Sequence, residues 1–282
     1  MFPRWISDNK DNYEYILKRN SSYSNCETLW DCSYQCSTVR GDKGLVKLYK
    51  DFRLERIKQG RSEIEICLRA MEWTFENLLH EEQSEYEGPF NAINILKHCK
   101  KTKTTVNCLC HATVLMEVLL ALGFKARKIS CMPIDVVPFD NHVVTTVFVP
   151  CLGKWIMLDP SMCCYVTDAQ HNILSVQEIR RCLVDSEKIY VETYSRFSKF
   201  QNAGNKRLFF DADVYITYLY KNMFRFLSRK KQSSEYTKEN DIFFMLVPKG
   251  YLPGNTVQRM FVEGANVELH IVDNEDMFWE NE

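Results

Sequence analysis

The chain has no excess of charge of either sign: 36 Lys and Arg stand against 37 Asp and Glu, for a formal net charge of -1. That balance removes the electrostatic argument for a nucleic-acid or membrane-surface partner, and neither is expected. There is no long hydrophobic run. The longest apolar stretch, Ala112 to Leu122, is interrupted by Glu117 and is too short to span a bilayer. The N-terminal text Met1-Phe2-Pro3-Arg4-Trp5-Ile6-Ser7-Asp8 has no apolar signal core. No Cys-x-x-Cys pair occurs among the 12 cysteines, and their spacings do not resemble a secreted disulfide framework. These absences predict a cytoplasmic protein with reduced thiols. A Gly-rich phosphate loop, a dinucleotide fingerprint and a His-Glu-x-x-His zinc helix are all missing, so no cofactor is expected. No internal repeat is visible.

What remains is an ordinary globular composition, 45% hydrophobic and 26% charged over 282 residues, enough to bury a sizeable core. Residues 1–44 read as an N-terminal extension, rich in Ser, Asn, Thr and Cys up to Gly41 and Gly44. Helical spacing predicts helices over 45–59, 62–82 and 90–98, with Ile64, Leu68, Met71, Phe75 and Leu78 on one face of the second. The basic run Lys97, Lys100, Lys101 and Lys103 reads as a solvated loop. A buried helix follows over 108–122, ended by Gly123. Strands are expected over 126–131, 143–149 and 155–158, then a helix over 176–184. Beyond 186 the pattern predicts a helix over 214–227, a polar loop over 229–240, and strands over 242–247 and 267–272. Pro248, Gly250, Pro253 and Gly254 punctuate the turn region between these last two strands. Helices followed by a sheet make an α+β fold, divided as a 45–185 core and a 186–282 C-terminal α/β elaboration packed on it.

Three residues in this layout could do chemistry together. Asn107 is a good helix N-cap, which puts Cys108 in the first turn, where the helix dipole stabilises an anion. His142 opens the second predicted strand and Asp159 closes the third. A thiol, an imidazole and a carboxylate make a nucleophile, a general base and an orienting group. Each residue alone has an ordinary structural explanation: an inert buried cysteine, a strand-end histidine, an Asp-Pro turn. Cys110 competes for the nucleophile's role, but it lies about 200° around the helix from Cys108. The hairpin register decides whether His142 and Asp159 meet. A turn centred between Pro150 and Cys151 puts them directly opposite, and a two-residue turn at Leu152-Gly153 puts Thr146 there instead. A contact therefore calls for an asymmetric loop or a bulge.

The stretch from Asn107 to Pro160 resembles the transglutaminase-like superfamily, a branch of the papain-like cysteine enzymes. The matching motifs are Cys108 with Ala112 four residues on, Gly123-Phe124-Lys125-Ala126-Arg127, His142 at a strand start, and Trp155 through Asp159-Pro160. The resemblance covers about residues 62–184. It implies Cys108, His142 and Asp159 as catalytic residues forming a thioester acyl-enzyme on an amide of a peptide or protein. Hydrolysis is the leading expectation. Transamidation to an amine acceptor, carrier-linked acyl transfer and a catalytically silent binding module are the alternatives. Papain-like relatives use an upstream Gln as oxyanion donor, but Lys100 to Val106 contains none. Transglutaminases use a Trp, and Trp73 stands at a comparable distance but also fits as a core or rim residue. Two groupings invite a metal, Cys32 with Cys36, and Cys108, Cys110 and His111 with Cys163 and Cys164. Neither has tetrahedral ligand spacing, so no metal is expected. Residues 1–44 are a candidate plug for the groove.

Overall fold

The central sheet draws its strands from both halves of the chain. The computed structural model describes residues 8–25, 31–135, 141–194, 200–203, 206–209, 211–251 and 257–279. In chain order its main elements are α1 (Lys10–Arg19), α2 (Lys43–Asp51), α3 (Glu63–Asn77), α4 (Ala92–Thr102) and α5 (Cys108–Leu122). These are followed by β1 (Ala126–Met132), β2 (His142–Val149), β3 (Lys154–Leu158), α6 (Val176–Asp185) and α7 (Ala212–Asn222), then β4 (Arg225–Arg229), β5 (Ile242–Leu246), β6 (Val257–Val262) and β7 (Ala265–Val272). The seven strands lie in the order β6-β7-β5-β4-β1-β2-β3. All neighbours are antiparallel except the parallel pair β5 and β7. The architecture is α+β with a large, mostly antiparallel sheet.

Helix α5 is buried at every position from Cys110 to Leu122, because α2, α3 and α4 cover one side of it and the sheet the other. A helix so enclosed is apolar all round rather than amphipathic. Gly123 ends it at φ 96, a left-handed conformation that suits glycine. On the sheet side, Ala126, Val147, Ile156 and Leu158 pack toward α5. The opposite face carries Ile129, Val144 and Met157 toward α6 and α7, with Leu17 of α1 in the same cluster.

Several boundaries differ from expectation. The 45–59 helix is interrupted where Arg53 takes φ 52, leaving α2 and a short helix Glu55–Lys58. Helix α3 starts at a Ser62–Glu65 capping box, as its sequence allows, but stops at Asn77 instead of 82. There the chain turns extended and His80 bridges to Val106. Lys100 and Lys101 lie in the last turn of α4 rather than in a loop, where their charge complements the free carbonyls. The predicted 214–227 helix is split into α7 and strand β4. All five residues of β4 are buried, so a central strand without alternation reads like a helix segment. Lys231 and Gln232, in the expected polar loop, pair as a short strand with Gln35 and Cys36. Strand β6 was not anticipated; the turn residues Pro253 and Gly254 before it lie outside the described residues, as do Met1 to Ser7. Helix α1 lies within the expected N-terminal extension and packs against α7 and α6.

Candidate active site

Cys108 is the first residue of α5. Asn107 precedes it in extended conformation, and the Asn107 Oδ1 accepts the Cys110 N–H at 3.3 Å. This leaves the earliest N–H groups of the helix without intrahelical partners. Cys108 is half-buried on the wall of a cavity of about 310 Å³. Cys110 points into the core, where burial pushes its thiol well above the ordinary range. The two cysteines are thus separated by helix phase, as their spacing suggests. Ala112, one turn below Cys108, is small enough for β2 to approach, and its carbonyl accepts the Thr145 Oγ1 proton at 3.1 Å.

His142 and Asp159 come together, but through neither register considered from the sequence. Val149 pairs with Lys154 and Thr145 with Leu158, so residues Pro150 to Gly153 form the loop and the ladder falls midway between the two alternatives. Continued one step, this ladder places Asp159 opposite Val144. His142 is then its diagonal neighbour on the same face. Diagonal Cα atoms lie about 7–8 Å apart, a gap that long side chains can close. His142 Nε2 and Asp159 Oδ2 are 2.5 Å apart. The expected bulge is therefore unnecessary, since the side chains span the offset. Cys108 lines the same cavity wall as His142, and its thiol is among the groups that raise the imidazole, so thiol, imidazole and carboxylate gather in the order Cys108, His142, Asp159.

The carboxylate is held by more than the histidine. Asp159 is fully buried, and its Oδ1 accepts from the Ser161 N–H at 3.0 Å, the Ser161 hydroxyl at 2.6 Å and the Met162 N–H at 3.2 Å. Its Oδ2 also accepts the Tyr215 hydroxyl proton at 2.7 Å. Burial alone would raise the Asp159 pKa, but the His142 charge and these hydrogen bonds hold it well below the usual carboxylate range. Burial likewise disfavours a charged His142, and Asp159 together with Cys108 outweighs it and raises the imidazole well above its ordinary value. Both directions describe one buried ion pair. Tyr215 and Tyr218 pack edge-on against the imidazole at 6.2 and 5.3 Å between centroids and fix its plane.

Ser161, Tyr215 and Tyr218 were not anticipated. An Asp-Pro-Ser sequence could have signalled Ser161, because an aspartate commonly accepts from the backbone two residues on. Nothing local marks Tyr215, which lies on α7. Trp73 packs edge-on to Phe52 at 6.0 Å and is not on the cavity wall. Arg127, of the Gly123–Arg127 motif, is buried against Tyr34, Trp155, Phe278 and Trp279 and donates to the Phe278 carbonyl at 3.1 Å. No described residue of 1–44 lines the cavity. Its far wall carries a Lys128–Glu263 ion pair at 2.6 Å and, from β6, the exposed Phe261. Among the described residues no group of three His, Cys, Asp or Glu side chains is placed to hold a metal ion, and no helix is long and apolar enough to cross a membrane.

No protein-family model and no curated protein matches the chain. Among solved structures, a protein from Cytophaga hutchinsonii provisionally named a cysteine protease aligns at 21% identity with a TM-score of 0.32. That alignment covers 44% of this chain and 39% of the other.

Proposed function

We propose that this protein is a transglutaminase-like cysteine hydrolase acting on an amide of a peptide or protein. The observation that carries the reading is the hydrogen-bonded His142–Asp159 pair with Cys108 on the same cavity wall as the imidazole. Cys108 attacks the carbonyl carbon. His142, charged by the proton it has taken from the thiol, gives that proton to the leaving amine. Asp159 holds the imidazole orientation and stabilises its charged form. Water then attacks the thioester, releasing the acid and restoring the thiol. An amine in place of water would give transamidation; hydrolysis is the simpler outcome because water needs no second binding site.

The test is covalent capture. After incubation with p-nitrophenyl acetate, peptide mass spectrometry should find an acetyl group on Cys108 of the native protein and none on that peptide in Cys108→Ala. Acetylation at the other cysteines that accounts for all turnover would remove the reading. A peptide library on the native protein then identifies the acyl donor.

A further inference from the structure

We propose that His80 supplies the side-chain donor of the oxyanion hole, beside the backbone N–H of Cys108, an inference that rests on the acyl-transfer reading above. Neither expected source is in place: Lys100 to Val106 has no Gln, and Trp73 lies off the cavity. His80 is on the wall with Cys108 and His142. Its backbone is anchored to the segment leading into α5. The Val106 N–H donates to the Leu79 carbonyl at 2.8 Å, and the Glu81 N–H to the Val106 carbonyl at 3.0 Å. Its ring packs edge-on against His111, on the first turn of α5, at 5.4 Å between centroids.

The His80 ring has an unmet hydrogen-bonding capacity. It is only 4% exposed, and its Nε2 is buried without a partner. An unmet buried polar group is costly, and on the wall that carries the nucleophile this favours a partner that arrives with the substrate. The Nε2 of His111 is buried without a partner as well, but its Nδ1 lies 3.2 Å from the Pro160 carbonyl, which can only accept, so the one N–H of a neutral His111 is already engaged. Burial, reinforced by His111, pushes His80 down to about 3. The ring is therefore neutral at working pH and carries one N–H. A neutral donor can bind an oxyanion without competing with His142 for the thiolate.

In the addition step the sulfur–carbon bond forms and the carbonyl π pair moves onto oxygen. The Cys108 N–H and the His80 N–H donate to that oxygen. On collapse the carbonyl reforms, the bond to the leaving group breaks, and an amine departs with the proton held by His142.

Two reactions of Cys108 separate this role from structural support. Acylation by p-nitrophenyl acetate passes through an oxyanion; alkylation by iodoacetamide displaces iodide from a saturated carbon and does not. His80→Phe keeps the ring contact with His111 and removes the N–H. Acylation should fall by about 10²–10³-fold, the effect of losing one oxyanion donor, with alkylation unchanged. If both rates fall together, or neither falls, His80 is not the donor. Should His80→Phe melt below the assay temperature, His80→Leu is read by the same two rates. Native protein whose Cys108 is alkylated but never acylated would overturn the acyl-transfer reading itself, and this inference with it.

Discussion

Removing one hydroxyl, in Tyr215→Phe, tests whether the C-terminal segment supports the candidate site. The Tyr215 hydroxyl donates to Asp159 Oδ2 at 2.7 Å, and both side chains are fully buried, so water cannot replace the bond. Phenylalanine leaves the ring in place and creates almost no cavity. A hydrogen bond to a charged group contributes roughly 1.5–3 kcal/mol. Asp159 keeps His142 on Oδ2 and three donors on Oδ1, so the substitution does not orphan a buried charge. The loss should therefore be about 2 kcal/mol, below the ~3–5 kcal/mol of a broken buried ion pair. Cys164 also loses its contact with the hydroxyl, a minor addition because a thiol is a weak donor. Urea denaturation at pH 7 reads the stability change. The acylation rate should fall by no more than about tenfold, a change of 1.36 kcal/mol in the barrier, because the His142–Asp159 bond survives. The sign with pH is also set. A carboxylate depressed below its ordinary value of 3.8 stabilises the fold above that pH and ceases to as the pH falls through the folded value. The gap between native and variant should thus be complete above about pH 4 and narrow below it. A loss under about 0.5 kcal/mol, the range of unremarkable surface changes, would refute the buried hydrogen bond.

His142 predicts the opposite pH trend. Although burial disfavours its charge, Asp159 and Cys108 raise it well above its ordinary value of 6.5, so its contribution is complete below that pH and is lost as the pH rises through the folded value. Urea midpoints of the native protein should fall above pH 6.5 more steeply than those of His142→Gln, and parallel curves would contradict the ion pair. Lys128→Met strands Glu263, whose side chain is only 4% exposed, on the cavity wall. The cost should be about 3 kcal/mol, at the low end for a broken buried pair, because the Thr237 hydroxyl still donates to Glu263 at 2.6 Å. A calorimetric loss below about 1 kcal/mol, the scale of an exposed pair, would show that the ion pair is solvated.

The sequence by itself determined the elements closest to the chemistry. Asn107 as cap, the apolar run to Leu122 and Gly123 as terminator specify α5 through local rules, and the structure places that helix over the expected residues. The phase separating Cys108 from Cys110 is likewise a property of helix geometry alone. Apolar and β-branched residues indicated β1 to β3 for the same reason. Tertiary structure decided what depends on packing between distant segments. The β2–β3 register was open because two loops of similar length shift the ladder by whole residue pairs without changing which face is apolar. Residues Arg225 to Leu227 of β4 read as the end of a helix because a strand buried on both faces loses the alternation that would identify it. His80 is carried beyond the end of α3 by a bridge to Val106, and Tyr215 reaches Asp159 from 56 residues away. Such contacts leave no periodic trace along the chain. They arise only when separate elements close around the same buried carboxylate and the same cavity, where each polar group must find a partner or await one.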